Sequence, residues 1–505
     1  MKRCPGVLIV ASLVLTAVIL SSCSEGQSTP TKPTVQVPQA NSPVQAVEAR
    51  EPLTDESPVV VVGDSVVKGG EFRQRVLMAM APSREDMVPN LEPVDLVEVA
   101  RTLAAEKVMV LEAREKGTLN DFNLAREIAR FRRNLLVNNL VQSVLKDKDL
   151  SVPEEEIDQA MQKSATAERP YVEARLKNLK VQQIMQDYLR QLTEQLHVRK
   201  HPETFARVAA ANRRLLEHPK MERPKNTPWI QLAQIQTELD PNEANLVLVE
   251  YDGGRFTAMD WFLALHEVVP VRRPANLSMP DGVEQFLDNA LQRPLMVTQA
   301  CNVGLDKDEK FLAQIHDRED RLLLSYTQST MARQVPEPND REVEAFFERI
   351  KDRVHPGQFM TVETLWYLDR QAVDQAKQSL EQGTAFEELQ TQADLTPKQK
   401  EAQPISVAGE GGFWPPLWAA EPNGVVGPLL GFKDQGLSWR LVKVVEKTEG
   451  RTPTLDGNFK NRLKSALKAQ RIKEALAKRQ RELLDKYPHR IYEDRLTFFD
   501  PRNVP

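Results

Sequence analysis

The side chains able to do chemistry are few and scattered along this chain. "GEGGFWPPLW" (Gly409–Trp418) sets three glycines within four residues ahead of two tryptophans and two prolines. A glycine-rich loop can cradle a phosphate, but this one lacks the lysine and the strand-to-helix setting that such a loop requires. Seven histidines are present, and His197 and His201 stand four apart near the end of a helical stretch with no acidic residue or cysteine between them. That pattern reads as a solvated helix end, not a metal centre. The three cysteines are Cys4, Cys23 and Cys301. Cys301, in "VTQACNVG", has no histidine nearby and is expected to be a small buried hydrophobe. Clustered carboxylates open two Pro-flanked helices, "SVPEEEIDQAMQ" and "EPNDREVEAFFERI". There they suit the positive end of a helix dipole and are read as structural.

Bulk properties narrow the possibilities further. With 505 residues the chain exceeds one compact core, so two or three domains are expected. Hydrophobic residues at 41% and charged residues at 28% leave ample core material. The formal charge of −5 offers no basic excess to neutralise phosphates, which argues against a nucleic-acid partner. No nucleotide site and no cofactor site is legible.

The first residues give an address. Lys2 and Arg3 precede an apolar run from Val7 to Leu20, too short to span a bilayer comfortably and placed as a signal h-region. Leu20-Ser21-Ser22-Cys23 resembles the lipobox of bacterial lipoproteins. That resemblance implies a signal peptide over 1–22 and acylation of Cys23, holding the chain at a membrane without a transmembrane helix. An ordinary signal peptide with an incidental cysteine is the alternative. By resemblance to Gram-negative lipoprotein sorting, Ser24 in place of an aspartate implies the outer membrane, facing the periplasm of the cell envelope. Residues 23–57 are rich in Ser, Thr, Gln and Pro and are expected to be a disordered linker.

Past the linker the chain repeats. "VVVVGDSVVKGGEFRQRVLMAM" (Val59–Met80) and "LVEYDGGRFTAMDWFLAL" (Leu248–Leu265) share one grammar of strand, turn, short strand and amphipathic helix. Glu71-Phe72 and Asp260-Trp261 fall at equivalent places. "EKVMVLEAREKG" (Glu106–Gly117) matches "QRPLMVTQACNVG" (Gln292–Gly304), each a helix closed by a C-terminal glycine. A longer helix follows in each copy, the first lined by Phe131, Leu135, Leu136, Leu140, Val144 and Leu145. Long closing helices are expected over Tyr171–Val198 and Asn458–Tyr487. The latter has ten Lys/Arg against three Asp/Glu, read as the solvated face of an amphipathic helix. About a hundred extra residues, roughly Gly357–Lys447, interrupt the second copy.

That interruption runs strand, helix, Gly turn, helix, glycine cluster, "NGVVGPLL" and a final strand "GLSWRLVKVVEK". With its "GTAFEEL" turn, the order resembles parvulin-type peptidyl-prolyl isomerases. The flanking units look like the chaperone domain of SurA-, PpiD- and PrsA-type exported foldases. The implied fold class is α+β, mostly helical chaperone units in tandem repeat with a parvulin-like antiparallel-sheet domain inserted in the second. The implied boundaries are 58–230 for a first helical unit and 231–355 for the first part of a second. The parvulin-like domain would span 356–450, and 451–505 would hold the closing helix and tail.

A parvulin clasps the proline ring in an apolar pocket and surrounds the preceding carbonyl with a polar ring that includes two histidines and a Cys or Asp. The barrier it lowers is about 18–20 kcal/mol. Here Thr364 or Leu365 stands where the first-strand histidine belongs, and Arg440 takes the place of the last-strand one. From Pro356 to Pro488 the chain contains neither histidine nor cysteine. Leu417 and Trp418 fall near the family's proline-pocket positions, so Thr364, Leu417, Trp418 and Arg440 are the expected peptide- or proline-binding groove. Asp394 is the weak catalytic candidate, at the Cys/Asp position. The expectation is a membrane-anchored periplasmic chaperone that binds unfolded or proline-containing segments with weak or no isomerase activity and no cofactor, nucleotide or nucleic acid. The alternatives are an active isomerase and an envelope scaffold using the parvulin-like domain as an interaction module.

Overall fold

The computed structural model describes residues 53–81, 94–163, 168–222, 229–392, 401–433 and 436–496. The signal stretch, Cys23, the linker up to residue 52 and Asp394 lie outside the described residues. The chain is mostly helical with small antiparallel sheets. No helix among the described residues is long and apolar enough to cross a membrane.

The described chain divides into two compact units. The first unit is the continuous stretch from Phe122 to Glu319; the second is made of the residues before it, up to Asp121, and those after it, from Asp320.

In the second unit the valine run forms β1 (Pro58–Val62), turning at Gly63, whose φ of +53° favours glycine, into β2 (Ser65–Lys68). α1 (Gly69–Met80) follows at once and buries Phe72 and Val76. α2 (Leu96–Glu115) is opened by Asp95, whose carboxylate accepts from the amides of Val97 and Glu98. Gly117, at φ +67°, closes it as expected.

The first unit contains α3 (Phe122–Leu145), α4 (Glu154–Gln162), α5 (Arg169–Gln195), β3 (Arg199–Lys200), α6 (Phe205–Glu217), α7 (Leu232–Glu238) and α8 (Pro241–Ala244). The second hairpin then follows as β4 (Val247–Tyr251) and β5 (Gly254–Thr257), running into α9 (Ala258–Glu267). Trp261 is fully buried there, edge-on to Phe262 and Phe286 at 5.0 and 5.3 Å, and its indole N–H donates to the Val283 carbonyl at 3.2 Å. α10 (Pro280–Ala290) and α11 (Gln292–Asn302) complete this core, with Gly304 in the left-handed region after α11. The boundary between units falls within α12 (Glu309–Gln334).

The second unit resumes with α13 (Asp340–Ile350), β6 (Phe359–Tyr367), α14 (Arg370–Glu381), α15 (Phe386–Gln392), β7 (Gln403–Ile405), α16 (Val407–Glu410) and α17 (Trp414–Ala419). It ends with β8 (Val425–Lys433), β9 (Gly436–Thr448), α18 (Gly457–Lys486), β10 (His489–Ile491) and α19 (Glu493–Leu496). α18 packs Phe459, Leu463 and Leu467 against Val343, Phe346 and Ile350 of α13, and Leu483 joins the core under the β1–β2 hairpin.

The third strand of each small sheet is short and follows a long helix. β10, after α18, pairs with β1 (Val60↔Ile491, Val62↔His489), and β3, after α5, pairs with β4 (Arg199↔Glu250, Lys200↔Val249). The hairpin nearest the start of the chain is thus completed by a strand about 430 residues later, and Arg479 of α18 reinforces that closure by binding both carboxylate oxygens of Glu112 in α2 at 2.8 and 2.7 Å.

β6–β9 form a four-stranded antiparallel sheet in the order β7-β6-β9-β8. Side chains alternate across it: Leu365, Trp439 and Leu441 point to the α14–α15 side, whereas Met360, Val362, Val442 and Val444 meet α17.

Candidate functional site

The opening glycine cluster is the hinge that lays α17 on the sheet. Gly411 adopts φ +54°, ψ −128° between α16 and a tight turn at Gly411–Phe413, a conformation that glycine tolerates without strain. α17 then brings Leu417 down onto the sheet, where it has no exposed surface. Trp418 is half-buried at the margin of the same cluster. Its ring stacks on Trp414 at 5.2 Å and 18°, and Lys447 lies over it at 5.4 Å while donating to its carbonyl at 2.5 Å. Thr364, half-buried on β6, sits opposite Val442, a member of that cluster. Thr364, Leu417 and Trp418 thus gather on one face of the sheet.

Arg440 is on this face too, paired across the strands with Trp366, whose ring its guanidinium meets at 5.2 Å. It is 3% exposed and bound to a carboxylate that the sequence does not advertise. Glu410, from the glycine-rich stretch, receives Nη1 at 3.3 Å and Nη2 at 2.5 Å, and Nε donates to the Leu430 carbonyl at 3.3 Å. The guanidinium is almost wholly enclosed, with each of its three nitrogens donating to a partner. It carries charge that Glu410 neutralises in place, so it acts as a strut between α16 and β9.

Gly431 makes that strut possible. A β-carbon at this position would lie 2.4 Å from Arg440 Nε and 2.9 Å from the Trp366 ring. Gly431→Ala is expected to push the guanidinium off Glu410 and cost about 1–3 kcal/mol. A urea unfolding midpoint equal to wild type would show that the pair tolerates the shift.

The other chemical candidates resolve into structure. His197 is exposed and bonds Asp252 at 2.6 Å, while His201 faces Glu203 at 3.0 Å and Glu250 at 3.3 Å. The acids that sequence spacing lacks come mainly from the β4–β5 hairpin. Among the described residues no cluster of three or more His, Cys, Asp or Glu could hold a metal. Cys301 is exposed, not buried as expected. The stripe that α11 buries is Leu295, Met296 and Ala300, and Cys301 falls off it. Its thiol is held above the usual range, first by partial desolvation and then by Asp306, which disfavours a reactive thiolate. Of the carboxylates at the acidic helix starts, Glu154 pairs with Arg169, and Glu342 caps the Asn339 amide at 2.8 Å while accepting from Arg471 at 2.6 Å.

A groove missed at the sequence level lies within the second unit, between the end of α12 and the middle of α18. It has a volume of about 660 Å³, walls from Met331, Val335, Pro336 and Ala475, and a rim of Glu342, Arg471, Glu474 and Lys478. A second hollow of about 450 Å³ lies nearer the start of α18, lined by Glu337, Asn461, Lys464 and Lys468. α18 buries Phe459, Leu463 and Leu467 near one end and Leu483 near the other, with no fully buried residue between. That uncovered stretch was the signal available in the sequence, where the apolar stripe thins after Leu467.

No family model matches the chain, and no curated protein does. Among solved structures it is similar to a chain from the Campylobacter jejuni pair PEB4 and Cj1289, described as SurA-like chaperones, at 14% identity over 45% of this chain and 91% of that one, with a TM-score of 0.22. It is also similar to the foldase PrsA of Streptococcus pneumoniae (16% identity, 39% of this chain and 75% of that one, TM-score 0.23) and to PrsA of Lactococcus lactis (11%, 48% and 93%, TM-score 0.20).

Proposed function

We infer that the chain is an exported chaperone, anchored through acylated Cys23 and facing the periplasm, that holds unfolded polypeptide segments. The observation that carries this reading is the open groove between α12 and α18, with apolar walls and a charged rim. Such a surface suits partly apolar, extended segments of varied sequence better than one small substrate, because its polar groups do not converge on a point. Met331 offers a soft, adaptable contact of the kind promiscuous binding surfaces use.

The four-stranded domain (Phe359–Thr448) is proposed as a parvulin-like module that binds peptide without efficient turnover. Thr364 and Trp418 would form its margin, with Leu417 and Arg440 as support beneath. A proline ring could reach Leu417 only if α17 lifted, and the polar position at Arg440 is occupied by its own counter-ion. Asp394, as a catalytic candidate, remains a proposal.

The test is suppression of aggregation of a chemically unfolded client, followed by light scattering, beside a proline-isomerisation assay. The full chain is expected to suppress scattering and to show turnover close to background. Val335→Asp with Ala475→Asp, both on the groove wall and neither packed against a buried core, should remove most of the suppression while leaving the circular dichroism unchanged. Suppression that survives this double change would move the client site elsewhere. Strong turnover abolished by Asp394→Ala would replace this reading with an isomerase.

A further inference from the structure

Positions 464, 468, 471, 475 and 478 step along α18 by four, three, four and three residues, which places them on one face of the helix. Lys464, Lys468, Arg471 and Lys478 occupy four of them, with Ala475 the small residue before the last. Lys464 and Lys468 line the smaller hollow, while Arg471, Ala475 and Lys478 line the groove facing Met331 and Val335. The face is not simply solvated, since along this lane it borders two hollows, the larger of which has an apolar wall.

Its charges are unevenly matched. Lys468 is held by Glu337, and Arg471 by Glu342 at 2.6 Å. The third carboxylate on the lane, Glu474, accepts from Gln470 at 2.8 Å. Lys464 and Lys478, one at each end, have no ion pair or hydrogen bond among the described residues, though Lys464 lies close enough to Glu337 to add to the pull that Lys468 exerts on that carboxylate.

We propose that this lane docks an extended polypeptide segment whose acidic residues flank an apolar side chain. The inference rests on the chaperone reading and names the class of client. The apolar side chain lies beside Ala475 against Met331 and Val335, and flanking carboxylates meet Lys464 and Lys478. Fourteen residues of helix at about 1.5 Å each separate those lysines by roughly 21 Å. An extended segment rises about 3.3 Å per residue, so its carboxylates stand about six residues apart. A flat bilayer surface would reach the lysines but not the apolar wall, and a phosphate backbone would leave that wall uncovered.

The experiment is fluorescence anisotropy on the full chain with three labelled 15-residue peptides of identical apolar content. One carries glutamates six apart, one glutamines and one lysines at those positions. The glutamate peptide is expected to bind roughly five- to tenfold tighter than the glutamine one at low salt, the worth of two exposed ion pairs. The lysine peptide should bind weakest. K464Q with K478Q should abolish the preference without reducing thermal stability, and raising the salt should erase it in wild type. Equal binding of the three peptides, or a preference that survives the double change, overturns the proposal. Capture of phosphatidylglycerol vesicles with no peptide binding would assign the lane to a lipid surface instead. If charge preference is absent while aggregation suppression persists, the lane proposal fails and the chaperone reading stands. If the preference is present and suppression absent, the lane stands and the chaperone reading falls.

Discussion

Arg440→Met, with Glu410 left in place, is expected to lower the stability of the four-stranded domain by about 3–5 kcal/mol. The change leaves the Glu410 carboxylate without the two donors that reach it from Arg440, in a side chain that is 11% exposed. Glu410→Leu should cost a similar amount, stranding the guanidinium against the Trp366 ring with one carbonyl partner. Making both changes together should return most of the loss, because two apolar side chains in place of a buried pair are often neutral. Four of the six tryptophans, Trp366, Trp414, Trp418 and Trp439, lie in this domain, so urea unfolding followed by their fluorescence reports it selectively. A single change costing less than about 1 kcal/mol would mean that water reaches the pair, which is then worth no more than a surface bridge.

Ending the chain at Pro488 should be the most damaging single alteration to the second unit. β1 would lose its pairing with His489–Ile491, the bond from the Tyr492 amide to the Val59 carbonyl at 2.9 Å, and the Arg495 contact to the Pro58 carbonyl at 2.6 Å. Leu496, 3% exposed against the same core, would go with them. Backbone bonds at about 0.5–1.5 kcal/mol each and one buried leucine together suggest a loss of about 4 kcal/mol or more. Hydrogen exchange is the suitable measurement: amides of Val59–Val62 should lose protection by orders of magnitude, while those around Trp261 in the first unit should not change. Undiminished protection in β1 would show that β2 and α2 alone hold it.

Much of this architecture was legible in the residues, and the gaps have identifiable causes. Both hairpin-and-helix starts were readable because Val59–Val62 and Leu248–Tyr251 alternate or cluster as strands do and run into amphipathic turns. Gly117 and Gly304 marked helix ends because few other residues tolerate that backbone conformation. The partners of β1 and β4 were not readable. "RK" and "HRI" are too short and too polar to carry a strand pattern, and nothing local says which hairpin each will join. Arg440 could be placed by alignment of the last strand, but Glu410 could not be assigned to it, because a pair thirty residues apart leaves no periodic trace. The basic face of α18 was countable from the start. What sequence could not supply was the end of α12 standing across from it, which turns a solvated stripe into one side of a groove.

The long reach from β1 to β10 sets a clock on the protein's own biogenesis. At synthesis rates of about 5–20 residues per second, the hairpin beginning at Pro58 waits roughly 20–90 s before residue 491 exists to complete its sheet. Phe122–Glu319, by contrast, is a continuous stretch whose core can close as soon as it is made. During the interval Val59, Val60, Phe72 and Val76 have only part of their eventual cover, an apolar segment awaiting a partner. On the function proposed above, a protein that shelters such segments in others presents one itself while it is being made.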